Sequence, residues 1–227
     1  MQIDFIHRPG NTAARVLLSP GETLTSEGGA MIAMSGHLNV ETTTHKKGSG
    51  GFLKAVKRMI AGESLFLNHF TAGNKPGEIW LGSNLAGDMM RYQLDNETLI
   101  VQSGSFVACE HDVNIDMGWQ GFKNFISGES LFWLRLNGRG QVILNAFGAI
   151  YPVQVDGEYI VDTGHIVAFS ETLDFSMTKA GKSWISSMLG GEGLVCKFKG
   201  RGTVWCQSHN PGSFGRNLTS GLKPRRA

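Results

Sequence analysis

Cys196, Cys206 and His209 are the residues whose types and spacing come nearest to a metal site. Zinc needs three or four such ligands brought together. Cys206 and His209 have ligand-like spacing, and Cys196 would join them if Gly200-Arg201-Gly202 turned the chain back as a hairpin. No second close pair exists, so two small buried thiols packed side by side are the plainer expectation. Carboxylates could do acid–base work. Glu22, Glu97 and Glu158 recur in one local context, and Glu63, Glu129 and Glu192 in another. Recurrence suits a turn-fixing role better than an active site. Ser64 and Ser130 follow Gly-Glu and lack the Gly-x-Ser-x-Gly context of an activated serine. His45-Lys46-Lys47-Gly48-Ser49-Gly50-Gly51 is glycine-rich but lacks the Lys-Ser/Thr ending of a phosphate loop. The expectation is therefore no enzyme, no metal and no cofactor.

The elements around these residues repeat. Gly29-Ala30-Met31-Ile32-Ala33 matches Gly104-Ser105-Phe106-Val107-Ala108 and then Gly164-His165-Ile166-Val167-Ala168, at spacings of 75 and 60 residues. Gly21-Glu22-Thr23-Leu24 precedes the first copy, Asn96-Glu97-Thr98-Leu99 the second, and Gly157-Glu158-Tyr159-Ile160 the third. After each comes an alternating stretch: Leu38, Val40, Thr42; Val113, Ile115, Met117; Leu173, Phe175, Met177. Alternation at period two predicts half-buried strands. Gly138-Arg139-Gly140 and Gly200-Arg201-Gly202 read as hairpin turns. They would place Arg139 and Arg201 at equivalent tips, as weak candidates for RNA contact. Units of this size bury marginal cores and gain stability by packing on their siblings.

A non-alternating segment separates the two blocks of each copy. On a helical wheel Phe52, Leu53 and Val56 share a face, with Lys54, Lys57 and Arg58 opposite. The second copy offers Trp119, Phe122 and Phe125, and the third Trp184, Ile185 and Met188. An apolar helical face is usually core. The sharper expectation is a face offered to a membrane surface or a membrane-associated protein, with the basic rim of the first copy suiting anionic headgroups.

The 227 residues include 31 Gly, with 41% apolar and 18% charged residues, which suits a turn-rich soluble fold. A net charge of +2 makes nucleic acid an unlikely partner. No apolar run reaches the roughly 18 residues of a span, and the start, Met1 to Ile6, reads as a strand rather than a signal peptide. Three cysteines imply no disulfide framework and fit a reducing cytoplasm. Arg216, Lys223, Arg225 and Arg226 lie in a polar end that reads as a flexible basic tail.

Gly28-Gly29-Ala30-Met31, Gly48-Ser49-Gly50-Gly51-Phe52 and Gly62-Glu63-Ser64-Leu65-Phe66-Leu67 resemble the AIM24 family. The resemblance implies an all-β fold of three tandem short double-stranded β-helix units, similar to the tryptophan-RNA-binding attenuation protein (TRAP-like), with small helical connectors. It implies three chains in a ring, and no catalytic residues. The expected divisions are 1–82, 83–146 and 147–210 for the units, and 211–227 for the tail. The expected function is a non-enzymatic scaffold forming a homotrimeric β-ring, cytoplasmic and peripheral to the inner membrane. The alternative is a ring that binds RNA or a small ligand.

Overall fold

The computed structural model describes residues 1–44, 66–116, 133–179 and 194–221. Over these residues the chain is all-β apart from two 3-10 turns and one helix. The opening stretch forms β1 (Gln2–Ile6), β2 (Ala13–Leu18), β3 (Thr23–Glu27), β4 (Met31–Met34), β5 (Asn39–Thr44), β6 (Phe66–Thr71) and β7 (Gly77–Leu81). Next come β8 (Met89–Gln102), β9 (Phe106–Glu110), β10 (Val113–Asp116) and β11 (Trp133–Asn145). The last strands are β12 (Ile150–Asp162), β13 (Ile166–Ser170), β14 (Asp174–Lys179) and β15 (Leu194–Gln207), followed by α1 (Pro211–Ser220).

Among the described residues every strand ladder is antiparallel, and one isolated bridge, Gly87 to Gly148, is parallel. One sheet has the order β1-β2-β7-β4, and the other β12-β15-β13-β8-β11-β9-β3-β6-β5, with β10 on β11 and β14 on β15. Alternation puts Ala14, Val16 and Leu18 of β2 inside, and Val113 and Ile115 of β10 inside with Asn114 out. The buried residues form three clusters that cross from one part of the chain to the next. Val107 and Ile143 join the cluster of Ile79 and Phe70, and Ile100 and Trp133 join that of Phe169 and Phe198.

The long strands β8 and β12 have a positive-φ residue in the middle, and the corresponding place in the first copy is the turn before β3. Gly21 (φ 83°), Asn96 (φ 62°) and Gly157 (φ 105°) each precede one of the recurring glutamates. The left-handed region is cheap for glycine and tolerable for asparagine. Gly138 (φ 113°) and Gly200 (φ 109°) do the same on the partner strands, and Gly157 faces Gly200 directly. The Gly-Arg-Gly segments are therefore not hairpin turns. β11 runs through 138–140 and β15 through 200–202: the β11 ladder with β8 resumes after a register shift between Asn137 and Arg139, and the β15 ladder with β12 continues without one.

The C-terminal end also differs from the expectation. Residues 211–220 form a helix where composition suggests a flexible tail. Asn210 caps it by accepting from the Ser213 N–H at 3.1 Å, and Pro211 occupies its first turn. Phe214 of the helix packs on Phe147, ring centroids 5.2 Å apart.

Candidate functional site

The three groups of the conceivable zinc site do not converge. Cys196 and Cys206 lie on one continuous strand, opposite Val161 and Tyr151 of β12 respectively. His209 Nδ1 pairs with Ser208 Oγ at 2.8 Å. Burial pushes the Cys196 thiol up to about 12 and Cys206 to about 11. Cys109 rises to about 12 through burial and then the nearby Glu110 charge. Such thiols are small core residues rather than nucleophiles.

The recurring glutamates serve the bends. Glu22 accepts from the N-terminal amine at 2.5 Å and from the Ser19 N–H at 2.7 Å. Glu97 accepts from the Tyr92 hydroxyl at 2.9 Å. Glu158 pairs with Lys197 at 2.6 Å and Lys199 at 3.6 Å. Across the bends, Arg139 Nε lies 3.2 Å from Asp95 and Arg201 Nη2 lies 3.0 Å from Asp156. Both arginines are exposed, but each already faces a carboxylate that a phosphate would have to displace.

Glu27 is a group that sequence reasoning passed over. It ends β3 and lines a cavity of about 220 Å³ with Gln102, Ser105, Asn145 and Gln207, where distant parts of the chain meet. Burial alone raises its carboxyl to about 7. A carboxyl whose folded pKa exceeds its unfolded value of 4.5 favours folding while protonated, so that contribution is lost as the pH rises from about 4.5 through 7. Glu27→Gln should therefore be more stable than the parent above pH 7, by roughly 2 kcal/mol after allowance for partial exposure, and should match it near pH 4. Urea midpoints at the two pH values check this. An equal difference at both would place the effect outside the titration. Nothing in the local sequence, Thr25-Ser26-Glu27-Gly28, distinguishes this glutamate from a surface one.

Two strand edges stand out by their exposed apolar side chains. On β4, Met31, Ile32 and Met34 are exposed, and on β12, Tyr151, Tyr159 and Ile160. Among the described residues β4 and β1 are the outer strands of one sheet, and β12 and β5 those of the other. A row of free backbone donors and acceptors flanked by apolar side chains is a template for strand addition.

Phe52, Leu53, Lys54, Val56, Lys57, Arg58, Trp119, Phe122, Phe125, Trp184, Ile185 and Met188 lie outside the described residues, as do Glu63, Glu129, Glu192, Ser64 and Ser130. No helix among the described residues is long and apolar enough to cross a membrane.

A family model described as "Mitochondrial biogenesis AIM24" matches residues 4–209. The chain belongs to the AIM24 family. The AIM24 region contains β2 to β15 whole and ends just before Asn210, the cap of α1. The chain is similar to the uncharacterized protein M6_Spy0233 of Streptococcus pyogenes serotype M6, at 28% identity over 207 residues, covering 88% of this chain and 83% of that protein. It also resembles the crystal structure of SPYM3_0169 from Streptococcus pyogenes, a structural-genomics target. That match has a TM-score of 0.79 and 26% identity, and covers 97% of this chain and 99% of the other.

Proposed function

We propose that this AIM24-family chain is a non-enzymatic scaffold. Its three tandem double-stranded β-helix units assemble with those of other copies into a homotrimeric β-ring. The ring is cytoplasmic and lies against the inner membrane. The observation that carries the reading is the pair of open sheet ends, β4 and β12, both lined with exposed apolar residues. Exposed apolar side chains on an outer strand are a template for a neighbour's strand, and on β12 Tyr159 and Ile160 stay exposed beyond Pro152, Asp156 and Glu158. Glu22, Glu97, Glu158 and the thiols support the same reading. The recurring glutamates brace strand bends and the thiols are core, so these groups are already committed to structure.

The membrane part rests on the sequence pattern. Phe52, Leu53 and Val56 backed by Lys54, Lys57 and Arg58, and the aromatic faces of Trp119, Phe122, Phe125 and Trp184, Ile185, Met188, would recur around a ring. Individually weak contacts then add through multivalency. The RNA alternative has less support, because Arg139 and Arg201 face Asp95 and Asp156.

Flotation of purified protein with anionic and neutral liposomes, alongside its mass by light scattering, tests the proposal. A trimer that floats with anionic lipid is the expected result. The combined change Phe52→Asp, Trp119→Asp and Trp184→Asp should abolish flotation and keep the trimer. A trimer that stays at the bottom with every lipid would overturn the membrane contact. Unfolding of the charged variant would place these residues in the core.

A further inference from the structure

The chain makes the same inter-strand junction twice, in the same register. At the first, Leu24, Thr25 and Ser26 of β3 face Glu110, Cys109 and Ala108 of β9. At the second, Leu99, Ile100 and Val101 of β8 face Ser170, Phe169 and Ala168 of β13. In the repeat alignment Leu24 corresponds to Leu99, and Glu110 to Ser170, so the two ladders superpose residue for residue.

The receiving strands are also held identically on their other edge. Phe106, Ala108 and Cys109 of β9 face Leu144, Ile143 and Val142, with a bulge after the first pair. Ile166, Ala168 and Phe169 of β13 face Cys206, Trp205 and Val204 with the same bulge. β4 has this pattern too: Met31, Ala33 and Met34 face Leu81, Trp80 and Ile79, again with the bulge. β4 is thus built as a receiving strand, but among the described residues its outer edge receives nothing. The corresponding donor, residues 158–162 of β12, pairs with β15 on one side and with no described strand on the other.

Burial singles out the same residues. Ile32 is 61% exposed, while Val107 and Val167 at the corresponding positions are 1% and 0%. Ile160 is 56% exposed, while Leu24 and Leu99 are 1% and 0%. Met34 is exposed where Cys109 and Phe169 are buried. These positions are core wherever the junction is made and surface only where it is not.

We infer that the third junction forms between copies: β12 of one chain adds antiparallel to β4 of the next, with Ile160 facing Ser35, Val161 facing Met34 and Asp162 facing Ala33. The inference deepens the assembly part of the proposed function and rests on it. The occupant of each edge is a second copy of this chain, because the donor and the acceptor that complete the pattern are both strands of this chain. Such a contact is heterologous, donor edge on acceptor edge, and it closes into a ring when the rotation per chain permits.

Two double-cysteine variants, made in a Cys196→Ala background because Cys196 faces Val161 within the chain, test the register: Ser35→Cys with Ile160→Cys, and Met34→Cys with Val161→Cys. Neighbouring pairs in an antiparallel ladder alternate between hydrogen-bonded and closer non-hydrogen-bonded types, so one of the two pairs falls within disulfide reach. Ile32→Cys with Ile160→Cys is the out-of-register control. The expected result is inter-chain disulfides on a non-reducing gel for at least one in-register pair, reversed by reductant. The control, and the parent with its three buried thiols, should give none. Ile160→Lys adds a second readout. The position is exposed in the single chain, so the circular dichroism melt should persist while the mass falls from the assembly to one chain. A trimer by mass with no in-register cross-link and an intact Ile160→Lys assembly would overturn this pairing and leave self-assembly standing. A parent that is a single chain by mass would overturn both.

Discussion

Replacing Phe169 with alanine is expected to cost about 4 kcal/mol of stability, the upper part of the range for buried aromatic truncations. Phe169 is 1% exposed, and among the described residues its ring meets those of Trp133, Phe175 and Phe198. Centroids lie 5.4 Å from Trp133, 5.2 Å from Phe175 and 5.1 Å from Phe198, all in tilted or edge-on contact. Its backbone sits in β13 between Ile100 of β8 and Val204 of β15, so the surrounding sheet cannot collapse into the void. The melting temperature should fall by roughly 10 °C for a chain of this length. Phe214→Ala, on the exposed side of α1, should shift it by no more than about 3 °C. A Phe169→Ala melt within that smaller range would mean the aromatic cluster is not the core it is taken for. Phe169 also bears on assembly, since Met34 occupies the corresponding position on the open edge.

Asp88→Ala should cost about 3 kcal/mol at pH 7, because it strands several donors at once. Asp88 sits just before β8 and is 6% exposed. It accepts from Arg8 Nε and Nη2, both at 2.8 Å, from the Thr12 hydroxyl at 3.0 Å and from the Met89 N–H at 2.8 Å. The figure already allows for the solvent that reaches Arg8, whose side chain is half exposed. Burial alone would raise the Asp88 carboxyl. The bonds from Arg8, Met89 and Thr12 outweigh it and hold the group below the usual aspartate range. A carboxyl with a depressed folded pKa stabilises the fold above its unfolded value of about 3.9 and loses that contribution as the pH falls through the folded one. The gap between parent and variant in urea midpoint should therefore be full at pH 7 and shrink below about pH 4. A gap equally wide at pH 3 would trace the cost to packing rather than to the charge.

The fold was largely legible because its periodic signals are local. β5, β10 and β14 lie in the alternating stretches that start at Leu38, Val113 and Leu173; β10 is half-buried as alternation predicts, whereas Val40 and Thr42 of β5 are exposed. The residues before Glu22, Glu97 and Glu158 are Gly, Asn and Gly, and all three take positive φ. The Gly-Arg-Gly segments misled for a physical reason. Glycine permits either a reversal or a bend, and the choice depends on whether the partner strand bends too. Gly157 opposite Gly200 makes a shared bend, so the ladder continues. The helix at 211–220 carried a legible signal in Asn210-Pro211, a cap followed by a first-turn proline, but the polar basic composition masked it.

The candidate site was less legible, because Ile32 and Ile160 look like Val107 and Leu99 in sequence. Alternation says that a side chain has an inward face. It does not say whether the neighbour that covers it lies in the same chain. That depends on which strand edges the sheet order leaves unpaired, a property of the whole sheet rather than of any window of residues. Glu27 was missed similarly, since its environment comes from Gln102, Asn145 and Gln207, all remote in sequence.

The central claim is that this chain completes its open sheet ends with further copies of itself. Light scattering on the purified 227-residue chain tests it most directly. The account predicts a mass three times the 24.6 kDa of one chain, held on dilution and lost in Ile160→Lys without loss of the fold. A stable parent at 24.6 kDa, with β4 and β12 open in solution, would contradict it.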